Sequence, residues 1–196
     1  NPVLHAFQLV VNEYGIDRDL IDAFLDSMEM DLTKKTYDTG MYEKYIYGSA
    51  EVVGLMCLKV FCRGDEAKYS RLREPARRLG AAFQKVNFLR DIRSDFRERG
   101  RVYFPGVDMQ LFDAGLKSTI EQDVQEDFAA ALDGIKSLPD GSRLGVYLAY
   151  IYYMKLFNKI RRSPVQRILN GRVRIPNIRK FILLFTSYVK YRMKVI

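Results

Sequence analysis

Gln84, Asn87, Asp91 and Asp95 are spaced three, four and four residues apart. A helix through them carries two amides and two carboxylates along one stripe. Two carboxylates one turn apart repel each other by about 0.2–0.5 kcal/mol, and a divalent cation between them converts that repulsion into binding. Oxygen ligands of this kind suit Mg²⁺, with Mn²⁺ able to stand in; Mg²⁺ keeps several waters and bridges to a substrate phosphate. Arg90, Arg93, Arg97, Arg99 and Arg101 crowd the same stretch and offer planar, permanently charged donors for phosphate oxygens. Carboxylates for a metal beside arginines for an anion are the equipment of a diphosphate site. The plain alternative is an exposed helix laced with Asp–Arg pairs. The two amides in register tilt the reading toward a site, because they contribute little to core packing.

The elements that must position this stripe read as helices almost throughout. Pro2 suits the first turn of a helix that Gly15 stops near Tyr14, and Asp17 and Asp19 open a second ending near Asp31. Apolar residues recur at helical spacing from Met41 to about Phe61. After a turn at Arg63-Gly64-Asp65 comes a short helical piece, and Pro75 restarts the helix, which runs to about Arg99. Arg101–Pro105 is extended, Asp108 caps a short helical turn, and Ser137–Ser142 is a loop. Further helices are expected at 118–137, 143–162, 164–170 and 176–194. The fold class that follows is all-α, a single domain built as an antiparallel helix bundle.

Composition narrows the function classes. A chain of 196 residues that is 48% hydrophobic and 29% charged is neither disordered nor fibrous. Its longest strongly apolar run, Phe181–Phe185, is far shorter than the ~20 residues a spanning helix needs, and no signal-peptide pattern opens it. The single histidine, His5, excludes most zinc sites and Ser-His-Asp triads. Cys57 and Cys62, five apart on a helix, lie ~8 Å apart by helical rise and turn, too far for a disulfide. They read as reduced core thiols of a cytoplasmic protein. The net charge of +8 is uneven: Arg143–Ile196 holds 13 Lys and Arg with no acidic residue, leaving 19 basic against 24 acidic residues in the first 142. That asymmetry points to an anionic partner.

The stretch GAAFQKVNFLRDIRSDFRERGRVYFP resembles the second aspartate-rich motif of the squalene/phytoene synthase family, G-x-A-x-Q-x-x-N-x-x-R-D-x-x-x-D followed by R-x-Y-x-P. MEMDL at Met28–Leu32, YIYGSAEVVGLM at Tyr45–Met56, AYIYYMKLFNKI and RVRIPNIRK resemble further stretches, with wording nearest to bacterial phytoene synthases. The resemblance implies an isoprenoid synthase bundle joining two allylic prenyl diphosphates head to head in carotenoid biosynthesis. Two geranylgeranyl diphosphates would give phytoene through a cyclopropyl intermediate; squalene or dehydrosqualene synthesis from farnesyl diphosphate is the alternative. Carried over by motif, Asn87, Asp91 and Asp95 hold Mg²⁺, Arg90 holds diphosphate, and Gln84 sits one turn earlier in the pocket. Tyr45, Tyr103 and Tyr153 line the site, Ala50 and Gly54 leave room for the prenyl chain, and Lys180 is a further substrate-binding candidate. For Ala50 and Gly54, close helix packing is an equal reading of the residues alone.

One part of the pattern is missing. The family's first D-x-x-x-D motif is expected upstream of Asn1, so the chain as given is expected not to complete catalysis alone. Asp22 and Asp26 are expected on an exposed helix face instead. The competing reading from another class is a basic helical module that binds nucleic acid or an anionic membrane surface. It gives no account of the Gln84–Asp95 stripe. The enzymatic reading expects no nucleic acid partner, and allows the basic C-terminal helices to rest peripherally on the inner face of a membrane.

Overall fold

The computed structural model describes residues 1–107 and 111–193; the turn expected at Asp108 and the end of the last helix at Lys194 lie outside them. Helices make up 80% of the described residues. Among the described residues they are α1 (Pro2–Tyr14), α2 (Arg18–Thr33), α3 (Thr39–Ile46), α4 (Val52–Cys62), α5 (Glu66–Arg97), α6 (Ala114–Lys136), α7 (Asp140–Arg161), α8 (Val165–Asn170) and α9 (Asn177–Arg192). Side-chain caps start several of them: Asn1, Asp38, Asp65 and Asp113 each accept a backbone N–H of the first turn. Gly15 closes α1 in the left-handed conformation its missing Cβ permits, at φ 58°.

Two expectations about helix continuity were wrong. Pro75 does not restart a helix; it lies inside α5, which runs unbroken for 32 residues. Its ring projects toward α6, where Gly134 leaves room for it. A Cβ on Gly134 would stand 2.2 Å from Pro75 Cβ, so the missing side chain makes the seat for the ring. The Ser137–Ser142 loop is also shorter than expected, since α7 already begins at Asp140.

The stretch read as one helix from Met41 to Phe61 contains a π-helical turn, Tyr47–Glu51, where the Val52 N–H reaches back to Tyr47 O. The turn sits where backbones approach closely. A Cβ on Gly48 would meet Ala23 O at 2.3 Å, and one on Gly80 would meet Ala50 O at 2.6 Å. Taken through this turn, Thr39–Cys62 is long and apolar enough to cross a membrane by composition, which corrects the expectation that no such stretch exists. Here it packs between α2 and α5, where a core helix needs the same apolar residues.

α5 is the central rod, flanked by α4, α6, α7 and α8. The main core gathers Val86, Leu89 and Ile92 of α5 with Val124, Phe128 and Ala131 of α6 and Leu156, Phe157 and Ile160 of α7. Away from these apolar contacts, Asp127 of α6 is fully buried between Lys85 (2.8 Å) and Arg78 (2.7 Å) of α5. The extended segment after α5 is pinned by one parallel bridge, Thr36 to Val102, with the Val102 N–H donating to Lys35 O at 2.9 Å. This fixes Tyr103 beside the end of α2. Both cysteines are free, but only Cys62 is a core thiol; Cys57 is exposed, because its side of α4 lines an open groove.

Candidate active site

The α5 stripe forms as its spacing requires, and it floors a cleft of about 460 Å³. Gln84, Asn87, Arg90, Asp91, Asp95, Arg99 and Arg101 all line the cleft, facing Tyr45, Tyr103 and Asp31 from the other wall. Each carboxylate of the stripe is already engaged. Asp91 accepts from Arg90 Nε at 3.1 Å and pairs with Arg172 Nε at 2.7 Å, while Asp95 accepts from Arg99 at 2.8 Å. Burial is the first cause that pushes the Asp95 carboxyl above the usual carboxylate range; the Arg99 hydrogen bond opposes it. Asn87 is oriented from across the bundle, since the Tyr153 hydroxyl of α7 donates to its Oδ1 at 3.2 Å. Phe83 stacks on the Tyr153 ring at 4.0 Å and holds that hydroxyl in place.

The opposite wall converges on Asp31, the carboxylate of MEMDL. Tyr45 donates to it at 3.0 Å and Tyr103 at 3.1 Å. Arg101 pairs with the same carboxylate at 3.4 Å and donates to the Asp31 carbonyl. Phe88 stacks on Tyr103 at 4.2 Å, and Tyr37 packs on both Tyr45 and Tyr103, giving a continuous aromatic wall. Burial raises the phenols of Tyr37, Tyr45 and Tyr103 above their ordinary value, and the nearby Asp31 charge adds to the shift. All three stay neutral near pH 7. The Tyr37 hydroxyl is buried without a hydrogen-bond partner.

Beyond Gln84 the character changes. An apolar groove of about 600 Å³ runs on between α4, α5, α6 and α7, lined by Ala50, Gly54, Cys57, Phe61, Leu72, Phe83 and others. Gln84 lines both spaces. The site therefore has a charged end and a long apolar end joined at one residue.

Most expected site residues come together, and two change meaning. Lys180 is not among the residues lining the cleft; its ammonium lies over the Tyr152 ring at 5.8 Å because α9 packs along α7 rather than toward the stripe. Gly54 does line the groove, but a Cβ there would meet Ala76 O of α5 at 2.9 Å, so close helix approach demands its size. Asp22 and Asp26 are exposed and pair with Arg18 and Lys44, as an ordinary helix face does. Asp31 and Arg172 were missed. Spacing carries no signal for either; the signal that was there is that both stand in stretches resembling the family, Asp31 in MEMDL and Arg172 at the head of RVRIPNIRK.

The residues present fit Mg²⁺ as one face of a site: two carboxylates a turn apart with amide oxygens in line, open to solvent on the cleft side. Among the described residues no group of three or more His, Cys, Asp or Glu side chains is arranged to hold a metal ion.

Comparison with known proteins agrees with this geometry. The family model for squalene/phytoene synthase matches residues 1–179. A phytoene synthase of Arthrospira platensis is 27% identical over 98% of this chain, which spans 70% of that protein. Chloroplast phytoene synthase 1 of Solanum lycopersicum is 28% identical over 94% of this chain, and here the chain spans 49% of the relative. A 4,4'-diapophytoene synthase of Staphylococcus haemolyticus is 28% identical over 82%, spanning 61% of the relative. Among solved structures, a dehydrosqualene synthase in complex with ligand superposes with TM-score 0.77 at 20% identity, covering 98% of this chain and 72% of the other. Squalene synthase HpnC from Alicyclobacillus acidocaldarius superposes with TM-score 0.69 at 22% identity, covering 84% and 68%. These two establish the fold.

Proposed function

Because the chain belongs to the squalene/phytoene synthase family, a family of prenyltransferases, we propose that it carries the diphosphate face and the chain-binding groove of an enzyme that condenses two allylic prenyl diphosphates head to head. The observation that carries this reading is the junction at Gln84. A substrate that fills both spaces must pair a compact polyanionic head with a long, flexible hydrocarbon tail, and a prenyl diphosphate is that molecule. Geranylgeranyl diphosphate is the substrate we favour, with phytoene as the product, because the cyanobacterial and tomato relatives are phytoene synthases. Farnesyl diphosphate is the alternative, given the staphylococcal relative.

The chemistry follows from what these residues do. Arg90, Arg99, Arg101 and Arg172 present guanidinium forks that bind diphosphate oxygens and stabilise the charge that develops as the head group departs. Asn87, Asp91 and Asp95 would hold Mg²⁺, which when bound supplies charge neutralisation on the leaving group. Tyr153 keeps the Asn87 amide oxygen aimed at its position. The wall of Tyr45, Tyr103 and Phe88 faces the allylic cation with neutral π-faces, each worth about 0.5–2 kcal/mol to a cation. The Tyr45 and Tyr103 hydroxyls are neutral near pH 7, so no phenolate stands beside it as an anionic nucleophile. Apolar side chains of the groove exclude water from the tail.

The test is calorimetry of the protein with a non-hydrolysable diphosphate analogue, with and without Mg²⁺, alongside incubation of a longer form that also carries the first aspartate-rich motif with each prenyl diphosphate and Mg²⁺, following hydrocarbon product by mass spectrometry. Phytoene from geranylgeranyl diphosphate, with Mg²⁺-dependent analogue binding that Asp91→Ala removes, is the expected result. Analogue affinity that is unchanged by Mg²⁺ or by Asp91→Ala overturns the assignment.

A further inference from the structure

Tyr37 lies between α2 and α3 with only 4% of its surface exposed, and among the described residues its hydroxyl has no hydrogen-bond partner. The backbone fixes it there. The bridge from Thr36 to Val102, with the Val102 N–H donating to Lys35 O, lays residues 35–37 beside 101–103. Its ring packs edge-on against Tyr45 at 5.3 Å and lies tilted on Tyr103 at 5.1 Å. A phenylalanine would make the same ring contacts and bury no polar atom. Leaving a buried hydroxyl unpaired forfeits its hydration with nothing in return, which native structures seldom keep without a use for it.

Its surroundings point to that use. The Tyr45 and Tyr103 hydroxyls both end on the Asp31 carboxylate, at 3.0 and 3.1 Å. Burial pushes the Tyr37 phenol up, Tyr103 and the Asp31 charge push it further, and Arg101 opposes them. Both charged groups therefore act on a hydroxyl that bonds neither. Arg101 is the mobile member of the cluster. Its guanidinium pairs with the Asp31 carboxylate at 3.4 Å, donates to the Asp31 carbonyl, and donates to the Tyr103 hydroxyl at 3.4 Å. Those contacts occupy the fork that an anion in the cleft would need. An anion that draws Arg101 away strips Asp31 of the cationic partner it has among the described residues, and a half-buried carboxylate must then gain another donor or resist the change.

We propose that Tyr37 is a positioning residue that holds a donor in reserve for Asp31: when the Arg101 guanidinium turns from Asp31 to a bound diphosphate, the Tyr37 hydroxyl takes its place on the carboxylate. The inference rests on the cleft's binding diphosphate. Asp31 then passes from two phenols and a guanidinium to three phenols. Tyr45 and Tyr103 stay tied to it throughout, so the aromatic wall keeps its shape while the arginine changes sides.

The experiment is calorimetry with inorganic pyrophosphate and Mg²⁺, together with thermal melting, on wild type, Tyr37→Phe, Asp31→Asn and the double variant. Tyr37→Phe should melt at or above wild type, because the unliganded protein loses only an unpaired hydroxyl. It should bind pyrophosphate at least about tenfold more weakly, the effect of losing one hydrogen bond to a charged group. Asp31→Asn releases Arg101 and leaves no carboxylate to satisfy, so adding Tyr37→Phe to it should change affinity by less than about twofold. A merely structural Tyr37 would lower the melt and the affinity together in both backgrounds. Equal affinity of wild type and Tyr37→Phe overturns the proposal, and so does a tenfold loss that persists beside Asp31→Asn. A lower melting temperature for Tyr37→Phe also overturns it, since the hydroxyl is then already bonded in the unliganded protein. If wild type itself fails to bind pyrophosphate with Mg²⁺, the diphosphate reading of the cleft falls first and takes this one with it.

Discussion

The two sides of α5 carry ion clusters built from the same residue types, and they differ in nearly every physical respect. On the α6 side, Asp127 is wholly out of solvent, with one carboxylate oxygen held by Lys85 and the other by Arg78. On the cleft side, the Asp91 and Asp95 side chains keep 19% and 10% of their exposure; Arg99 and Arg172 are about half exposed, as Arg78 is, while Arg90 beside Asp91 is mostly buried. A buried charge with fixed partners is a device of folding: its partners cannot leave without stranding it. Carboxylates that solvent itself reaches, as Asp91 and Asp95 are and Asp127 is not, can exchange a partner for a cation. Pairing is common to both clusters; the freedom to trade partners belongs to one.

Removing a carboxylate from each side should therefore break different things. Asp127→Ala leaves Arg78 without its buried partner and Lys85 with Asp123 alone, at 2.6 Å. It should cost about 3–5 kcal/mol of stability in chemical denaturation. Asp91→Asn should leave the denaturation midpoint near wild type while slowing turnover about 100- to 1,000-fold, the range that losing about 2.7–4 kcal/mol of transition-state stabilisation produces. If the two variants exchanged phenotypes, the contrast would collapse.

Smaller effects sharpen it. Gly54→Ala pushes a methyl toward the Ala76 carbonyl and should cost about 1–3 kcal/mol as an overpacked contact. Ala50→Leu should leave the melting temperature nearly unchanged and shift preference toward the shorter of farnesyl and geranylgeranyl diphosphate. Competition assays alongside calorimetric melts check both. The smallest effect is at Asp95. Its pKa is raised in the fold, so the folded state holds the proton more tightly than the unfolded chain, and ionisation at neutral pH works against stability. Asp95→Asn removes that cost. It should melt at or slightly above wild type at pH 7, with the difference fading as the pH falls through the ordinary carboxylate range, while Mg²⁺-dependent analogue binding is lost.

Legibility in the sequence followed the range of the interaction. The stripe and its face were readable because i, i+3 and i+4 geometry is local, and the fold places all four residues in one cleft. The helices were readable for the same reason, except where a distant residue decides. Pro75 looks like a helix start until Gly134, 59 positions away in the chain, supplies the seat for its ring. Gly54 looks like space for a substrate until Ala76 is seen to occupy that direction. Asp31 and Arg172 reach the site through α2 and the segment after α8, by contacts with no counterpart in spacing. Lys180 shows the converse: a residue in a matched stretch that the packing of α9 directs elsewhere.

The π-turn at Tyr47–Glu51 behaves as a phase shifter between two independent readers. Before it, Tyr45 addresses the charged cleft; after it, Val53, Gly54 and Cys57 address the groove. One extra residue in the winding sets the angular offset between them. Deleting it would turn everything downstream by about 100° and swing the groove wall away from the tail it lines. Conversely, Val53 and Cys57, which line the groove but not the cleft, are separated from the charged end by the turn. A single-residue insertion or deletion in the turn would be felt in the groove and the cleft at once, whereas a substitution at Val53 or Cys57 meets the groove alone.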